Sequence, residues 1–386
     1  MINIKDLTLD VQRKIAAVNS STSVNDLENL YKLAKVLDGS MSAVYDSDGQ
    51  LPDATSAGTR LAYIRNTGRV KLNNGKWDTV APPAPTVVPL SWSFQGSTAG
   101  LALGGSIGSG VSTRVTFADD TVSTNLYSPF TYIPLYSAAS SSAVHGYAAG
   151  NSGNGINTIY KVQFTNVATI TSVGTLSYGV QEASGSSSET HGYTVGGAGS
   201  PGATHDGIQK HSFTSDGNAT NVGYLGSYLK AFSSTGCSSA TNGYTVGGTN
   251  ESSVTQSLIK KYSHASDGGG TTSGNLTSAR FHVSGVSSYD YGYAEGGATN
   301  PPFVVYNTIE SFPFAADASA TSVGSLTVAR RSTAAVSSQE YGYNMGGGSA
   351  SGSLTTVDKH SFASSGNATS VGTLQQGNQS QAATQY

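Results

Sequence analysis

Seven histidines and one cysteine are the residues of this sequence best suited to bind a metal or to act as a nucleophile. His145 and His191 occupy the same position before a recurring Gly-Tyr pair, and His211 and His360 share a second recurring position. A metal site needs three or four ligands that converge on one point. Histidines that recur with the period of a repeat are instead typical of packing or strand-edge positions. We therefore expect neither a metal site nor a cofactor.

The other polar residues form no evident catalytic constellation. Cys237 lies in Thr235-Gly236-Cys237-Ser238, which carries no mark of a copper centre with a cysteine–tyrosine cross-link, so we interpret it as a small buried thiol. Ser215-Asp216-Gly217 is only a fragment of the box found in sialidases. A glycosidase needs two carboxylates that face each other across a cleft, and none of the 14 acidic residues after residue 80 is marked as such. We expect no catalytic residues.

The composition excludes several classes of protein. Only 11% of the 386 residues are charged and the formal net charge is −3, which argues against a nucleic-acid partner because such proteins carry a basic surface. There is no apolar run of 18 residues, so we expect no membrane insertion. The start of the chain lacks the basic and apolar stretches of a secretory signal. The chain is nevertheless rich in Gly, Ser and Thr, as extracellular proteins often are.

The Gly-Tyr pair marks an internal repeat. It recurs at intervals of 46, 51, 49 and 50 residues, at Gly146-Tyr147, Gly192-Tyr193, Gly243-Tyr244, Gly292-Tyr293 and Gly342-Tyr343. A degenerate copy, Gly100-Leu101-Ala102-Leu103-Gly104-Gly105, makes six units. A Ser-Ser pair precedes each of the five Gly-Tyr pairs, and an alternating stretch such as Ile159–Phe164 follows it. Alternation with a period of two indicates short strands, and we count four in each unit, labelled a to d in chain order.

Four strands in a unit of about 49 residues predict the blade of a β-propeller. Residues 91–386 resemble the kelch-type propeller in the strand that ends in Gly-Gly, in the aromatic residue later in each unit, and in Arg280, Arg330 or Arg331 before the next unit. The kelch tryptophan is missing, since Trp77 and Trp92 lie outside the repeat register. The predicted fold is all-β: a six-bladed kelch-like propeller behind a small N-terminal region of helices and a β-meander.

Closure of the ring has two candidates in the sequence. Residues 379–386 are in register with the first strand of a further blade, and residues 91–95 could supply the same strand from the other end. We predict that the tail pairs into the first blade.

The predicted strand order separates a structural face from a variable one. The Ser-Ser turns and the turns after the alternating stretch emerge on one face and recur almost unchanged. The b–c loops, after Gly-Gly, and the d–a loops, after the leucine that ends each unit, emerge on the opposite face. They differ in length and content, and recognition usually resides in such loops. The candidate binding residues are Asn154, His205, Asp206, Asn250, Glu251, Asn300 and Phe303, with Tyr228 and Phe281 from the second kind of loop.

The first 40 residues have the periodicity of two short helices. The second begins near Ser23 and ends near Gly39, with an apolar stripe that includes Leu27, Leu30, Tyr31 and Leu37. So short a helix is marginal alone in water, so the stripe needs a partner. An internal helical hairpin and a surface for assembly or docking both satisfy this need.

Residues 41–80 are predicted to hold a small β-meander, with Asn74-Gly75 as a hairpin turn. Residues 81–90 include four prolines, which favour an extended linker. The pattern RLAYIRNTGRVKLNNGKWDTV is similar to a small module of tailed-bacteriophage structural proteins, where it lies between an attachment segment and a larger distal domain.

The resemblance implies a virion protein, of the tail-fibre or receptor-binding kind, made in the host cytoplasm. Its N-terminus would dock on other tail or baseplate proteins, and it would act as a homo-oligomer on the particle exterior. Its propeller would bind a host cell-surface glycan. Two alternatives remain: a purely structural decoration protein of the capsid or tail, and a propeller enzyme that acts on polysaccharide.

Overall fold

A computed structural model describes residues 43–45, 60–64, 69–73, 77–79, 95–104, 111–127, 136–151, 156–199, 205–226, 235–250, 252–380 and 382–386. The chain divides into two compact units, Met1–Ser91 and Trp92–Tyr386. The helices predicted for residues 1–40, with Leu27, Leu30, Tyr31 and Leu37, lie outside the described residues. So does the proline-rich segment 81–90.

The first unit contains one four-stranded sheet. Its strands are β1 (Ala43–Tyr45), β2 (Arg60–Ile64), β3 (Arg69–Asn73) and β4 (Trp77–Thr79), in that spatial order. Strands β2, β3 and β4 pair antiparallel as a meander. Strand β1 pairs parallel to β2, and the sequence patterns had not predicted it.

The second unit is a six-bladed β-propeller, as predicted, and no helix occurs among its described residues. Blade 1 contains β5 (Ala99–Leu103), β6 (Val111–Thr116) and β7 (Val122–Tyr127). Blade 2 contains β8 (Ala138–Ser141), β9 (His145–Ala149), β10 (Thr158–Gln163) and β11 (Asn166–Thr175). Blade 3 contains β12 (Ser184–Ser187), β13 (His191–Val195), β14 (Gly207–Ser212) and β15 (Thr220–Tyr224).

The later blades follow the same order, with two short hairpins added. Blade 4 contains β16 (Thr235–Ser238), β17 (Asn242–Val246), β18 (Leu258–Ser263) and β19 (Thr271–Asn275). Blade 5 contains β20 (Ser284–Ser287) and β21 (Tyr291–Glu295), the hairpin β22 (Ala298–Thr299) and β23 (Val304–Val305), then β24 (Thr308–Pro313) and β25 (Thr321–Ser325). Blade 6 contains β26 (Ala334–Ser337) and β27 (Tyr341–Met345), the hairpin β28 (Gly348–Ser349) and β29 (Gly352–Ser353), then β30 (Thr356–Ser361) and β31 (Thr369–Thr373).

The last strand closes the ring, as predicted. Strand β32 (Ala382–Gln385) pairs antiparallel with β5 and becomes the innermost strand of blade 1. The competing segment from the other end contributes less, since Gly96 forms only an isolated parallel bridge with Ser338. Blade 1 is therefore built from two parts of the chain that lie nearly 280 positions apart in the sequence.

The Ser-Ser pairs have two separate structural roles. The first serine of each pair joins neighbouring blades: the backbone N–H of Ser141 donates to Ser187 Oγ at 2.8 Å, and that of Ser187 donates to Ser238 Oγ at 3.0 Å. The second serine caps the following turn, as Ser239 Oγ accepts the N–H of Asn242 at 2.9 Å. The repetition of this pair is thereby explained by blade-to-blade spacing and turn geometry.

Stacked aromatic rings fill the space between blades. The strand-b tyrosine of each repeat lies against an aromatic ring of the next blade, as in Tyr147 on Phe213 with centroids 4.7 Å apart and Tyr193 on His264 at 4.9 Å. In blades 3 to 6 the glycine before the tyrosine makes room for the strand-c side chain of its own blade. A Cβ on Gly192 would lie 2.3 Å from His211 Cε1, so only glycine fits there.

Ion pairs link the outer strands of successive blades. Lysines of strand c bind aspartates in the next blade's c–d turn, in the pairs Lys161–Asp216, Lys210–Asp267, Lys261–Asp317 and Lys359–Asp120. Two further pairs are fully buried: Arg280 with Glu310 at 2.6 Å and Arg330 with Asp358 at 3.0 Å. The arginines that open the next unit in the repeat pattern are thus core residues that hold the d–a loops in place.

Candidate functional site

We call the face that carries the b–c and d–a loops the loop face, and the opposite one the turn face. Where the d–a loops reach the innermost strands, five equivalent non-glycine residues have left-handed backbone. They are Tyr136 (φ 56°), Glu182 (56°), His282 (52°), Ser332 (53°) and Ser380 (62°). Their counterpart in blade 4 lies outside the described residues. Such conformations are costly for residues with a side chain and often occur at functional sites.

Backbone hydrogen bonds connect these residues around the propeller axis. The N–H of Glu182 donates to the carbonyl of Tyr136 at 2.7 Å, and the N–H of Tyr136 donates to the carbonyl of Ser380 at 3.1 Å. The N–H of Ser380 donates in turn to Ser332 at 2.8 Å, and that of Ser332 to His282 at 3.0 Å. We call these five residues the axial ring. Because the N–H groups of Tyr136, Glu182, Ser332 and Ser380 are already bonded, the side chains carry the chemistry of the ring.

The axial ring surrounds a cavity of about 160 Å³. Residues from the innermost strand of every blade line it, so it lies on the propeller axis. Below the ring the cavity is lined by small side chains, several of which carry hydroxyl groups. They are Ser137, Ala139, Ser184, Gly185, Thr235, Gly236, Ser284, Gly285, Thr333, Ala335 and Ala383. We call this space the axial cavity.

Glu182 and His282 are the ionisable side chains of the axial ring. Burial raises the pKa of Glu182 to about 7, although the charge of Arg331 opposes this shift. Burial lowers the pKa of His282 to about 3, and Arg331 adds to the effect. The imidazole is therefore neutral at pH 7. Its Nε2 lies 3.9 Å from Glu182 Oε2, too far for a hydrogen bond, so a ligand atom could bridge the two groups.

Hydroxyl groups of the axial cavity differ in whether they have partners. Ser284 Oγ contacts Thr333 Oγ1, which donates to Asn344 Oδ1 at 2.6 Å. In contrast, the buried Oγ atoms of Ser332 and Ser380 have no hydrogen-bond partner among the described residues. Both serines line the axial cavity, so a rotation about χ1 would turn either hydroxyl towards a ligand or a water molecule.

Two aromatic side chains and an arginine flank the axial ring on the loop face. Phe281 and Arg331 directly precede His282 and Ser332, and each pairs through its backbone with a b–c loop, at Ala298 and Gly348 respectively. The guanidinium of Arg331 lies 5.4 Å from the centroid of Phe303, whose side chain is 51% exposed. We call Phe281, Arg331 and Phe303 the rim.

Two of the predicted binding residues, Phe281 and Phe303, belong to one part of the loop face, because Phe281 pairs with Ala298 of the β22–β23 hairpin and Phe303 lies in the loop of that hairpin. Asn300 is exposed in the loop between β22 and β23 that also carries Phe303. His205 stacks on Tyr178, with centroids 4.0 Å apart, and Asp206 is half-buried beside it.

Asn250 has a structural role that the sequence did not suggest. Its Oδ1 accepts the N–H groups of Ser252 and Val254 and closes its own loop. Asn154, Tyr228 and Glu251 lie outside the described residues.

The sequence patterns missed the axial ring altogether. Its members are Tyr, Glu, His, Ser and Ser at one repeat position, so no motif marks them. The signal that could have found them is structural: in this propeller, each described residue two positions before an innermost strand lines the axial cavity. Within the described part of the chain, no group of three or more His, Cys, Asp or Glu side chains is placed to hold a metal. That same part contains no helix long and apolar enough to cross a membrane.

The histidines at the recurring position in strand c, His211 and His360, contribute to packing. His211 is 3% exposed and lies between Gly192 and Tyr147, and burial lowers its pKa to about 4. His360 contacts the buried carboxylate of Glu295. Burial disfavours the charged imidazole there, but Glu295 outweighs it and raises the pKa of His360. Cys237 is buried, and burial raises its pKa to about 12, so it is no nucleophile.

Comparison with known proteins gives no family for this chain: no protein-family model matches it, and no curated protein sequence does either.

Proposed function

We propose that this protein is a component of a bacteriophage virion, of the tail-fibre or receptor-binding kind, and that its propeller binds a host cell-surface glycan through the loop face. The observation that carries the binding proposal is the rim. An exposed phenylalanine held by an arginine, next to a polar cavity, combines a stacking surface with hydrogen-bonding groups. Sugars need both, because their C–H faces are apolar and their edges are hydroxyl groups.

The contrast between the two faces supports this choice. On the turn face, the repeated serines and the c–d turns are committed to blade spacing, capping and ion pairs. On the loop face, the loops differ in sequence from blade to blade over a repeated scaffold, and they expose Val254, Phe303, Val304 and Val328, while Val144 and Tyr289 are exposed on the turn face. Only 11% of the residues are charged, which fits the binding of an uncharged sugar by neutral polar side chains.

The virion assignment rests on the resemblance of residues 60–80 to a phage structural module and on the extracellular type of composition. In this proposal the N-terminal region docks on the particle and holds several copies there. Several weak sites on one particle then act together, so the affinity of each site can be low.

The binding proposal is tested with the purified full chain on a glycan array. We expect a set of related glycans to bind, and Phe303→Ala to weaken binding at least about tenfold, or about 1.4 kcal/mol. The matched control is Tyr289→Ala, which removes an exposed aromatic ring from the turn face, and it should bind like the wild type. Equal loss in both variants, or no glycan bound, would refute recognition by the loop face.

The virion proposal has its own test. Antibodies to the propeller, applied to purified particles in the electron microscope, should label the tail at a fixed position. Labelling of the capsid alone, combined with no glycan binding, would favour the structural decoration protein. Release of oligosaccharides from a bound polysaccharide would favour the enzyme.

A further inference from the structure

We propose that the axial cavity is a subsite for a single uncharged pyranose ring, the end residue of the bound glycan. This inference rests on the proposed function, and it adds the class of ligand and the residues that select it. The rim would contact the rest of the glycan, while the axial ring and the cavity below it would hold one sugar.

The unpartnered serines point to a hydroxyl-rich ligand. Ser332 and Ser380 are 9% and 6% exposed, and their Oγ atoms have no hydrogen-bond partner among the residues described. A buried hydroxyl without a partner costs about 1–3 kcal/mol. An apolar ligand would leave this cost in place, whereas the vicinal hydroxyl groups of a sugar can donate to and accept from both serines.

The charges around the cavity argue against an anion. Left-handed backbone can expose N–H groups as an anion-binding nest. Here the described N–H groups of Tyr136, Glu182, Ser332 and Ser380 already donate to neighbouring carbonyls. Glu182 adds a carboxyl group and His282 is neutral at pH 7. The single carboxyl group faces the positive charge of Arg331, which also makes the site a poor one for a cation.

Glu182 and His282 supply the planar polar groups that orient a sugar. A hydroxyl oxygen beside the two groups, whose Nε2 and Oε2 atoms are 3.9 Å apart, could contact both. The ring of Tyr136 lies 6.0 Å from that of His282, centroid to centroid, so the same wall offers an aromatic surface to the C–H face of a pyranose.

The size of the cavity limits the ligand to one ring. Its volume is about 160 Å³. Pockets for drug-sized ligands usually exceed about 300 Å³. A disaccharide would therefore place its second residue outside, against the rim.

The test uses the full chain and the methyl glycosides of glucose, galactose, mannose and N-acetylglucosamine, with affinity measured by calorimetry and ligand-observed NMR. The blocking variant is Ser332→Tyr, because Tyr136 shows that the ring accepts a tyrosine with this backbone conformation. We expect at least one glycoside to bind, Ser332→Tyr to weaken it at least tenfold, and Glu182→Gln to weaken it several-fold. Tyr289→Ala, the control on the turn face, should leave this affinity within twofold.

The outcomes separate the inference from the proposed function. If no glycoside binds at concentrations up to about 20 mM, a very weak affinity, or if Ser332→Tyr changes nothing, the subsite is refuted, even where the array shows glycan binding that depends on Phe303. If a glycoside binds and Ser332→Tyr abolishes it while the array stays blank, the subsite stands and the loop-face function fails. Thermal unfolding of each variant confirms that it is folded.

Discussion

Tyr386 stacks on Phe164 of blade 2, with ring centroids 4.4 Å apart and planes 13° from parallel. In the other blades the stacking ring comes from strand b, but blade 1 has Leu101 at that position. The residue that follows β32 therefore supplies the aromatic ring that the degenerate first repeat lacks. Closure of the propeller is accordingly a matter of side-chain packing as well as strand pairing.

Replacing Tyr386 with alanine should destabilise the propeller by about 2 kcal/mol, from lost apolar burial and lost ring stacking. Tyr386→Phe keeps both interactions and should stay within about 0.5 kcal/mol of the wild type. Chemical denaturation measures the difference. Equal stability of the alanine variant would mean that strand pairing alone closes the ring.

Gly292→Ala should destabilise the protein by about 1–3 kcal/mol, because overpacking in a core forces its neighbours apart. The added Cβ would lie 2.3 Å from the ring of Phe312. Gly366→Ala is the matched control, since nothing lies within 4 Å of its Cβ position, and it should change stability by less than about 0.5 kcal/mol. Thermal unfolding of the two variants gives the comparison, and similar values for both would contradict the packing argument.

Asp358→Asn should cost about 3–5 kcal/mol, because it leaves the buried Arg330 without its counter-charge. Lys210→Met breaks a surface pair with Asp267, and it should cost less than about 1 kcal/mol. Denaturant titrations at pH 7 distinguish the two. The double variant Arg330→Met with Asp358→Leu should recover most of the loss, and a failure to recover would indicate that the arginine's bonds to Gly346 and Thr356 dominate.

His211→Phe should make the protein less sensitive to acid. The pKa of His211 is lowered to about 4 in the folded state, against about 6.5 for an unperturbed histidine. The unfolded state then binds the proton more readily, so this residue costs stability as the pH falls from about 6.5 to about 4. The His211→Phe variant should therefore keep up to about 3 kcal/mol of the free energy of unfolding that the wild type loses between pH 7 and pH 4.

Phenylalanine already occupies the equivalent position at Phe312, so His211→Phe should fold. The measurement is the free energy of unfolding at several pH values. The control is His145→Tyr at a half-exposed histidine, which should leave most of the acid sensitivity in place. If the free energy of unfolding of His211→Phe depends on pH as it does in the wild type, other groups cause the loss of stability in acid.

Sequence patterns predicted the features that the repeat enforces at every blade. Gly-Tyr and Ser-Ser recur because each blade meets its neighbour in the same way, so the number of blades and the register of β32 could be read from spacing. The Lys–Asp pairs between blades were missed, because each lysine and its aspartate are 55 or more residues apart and only the ring brings them together.

The candidate site was predicted only in part, because repeat patterns mark only the positions that are alike in every blade. The residues of the site differ from blade to blade, so no repeated motif indicates them. Phe281 and Phe303 were predicted as residues of variable loops, but Glu182 and His282 come together only because two d–a loops meet at one axis. Their left-handed backbone is also not signalled by glycine, the residue that usually marks it.

The composite first blade fixes the order in which this protein can mature during synthesis. Each of blades 2 to 6 is one contiguous segment, so each can form as it leaves the ribosome. The backbone hydrogen-bonding groups at the inner edge of β5 have no partner strand until β32 is made. A ribosome that stops anywhere before residue 382 releases a chain with an exposed strand edge, which invites aggregation and degradation. Only chains that include β32 can therefore form the closed ring.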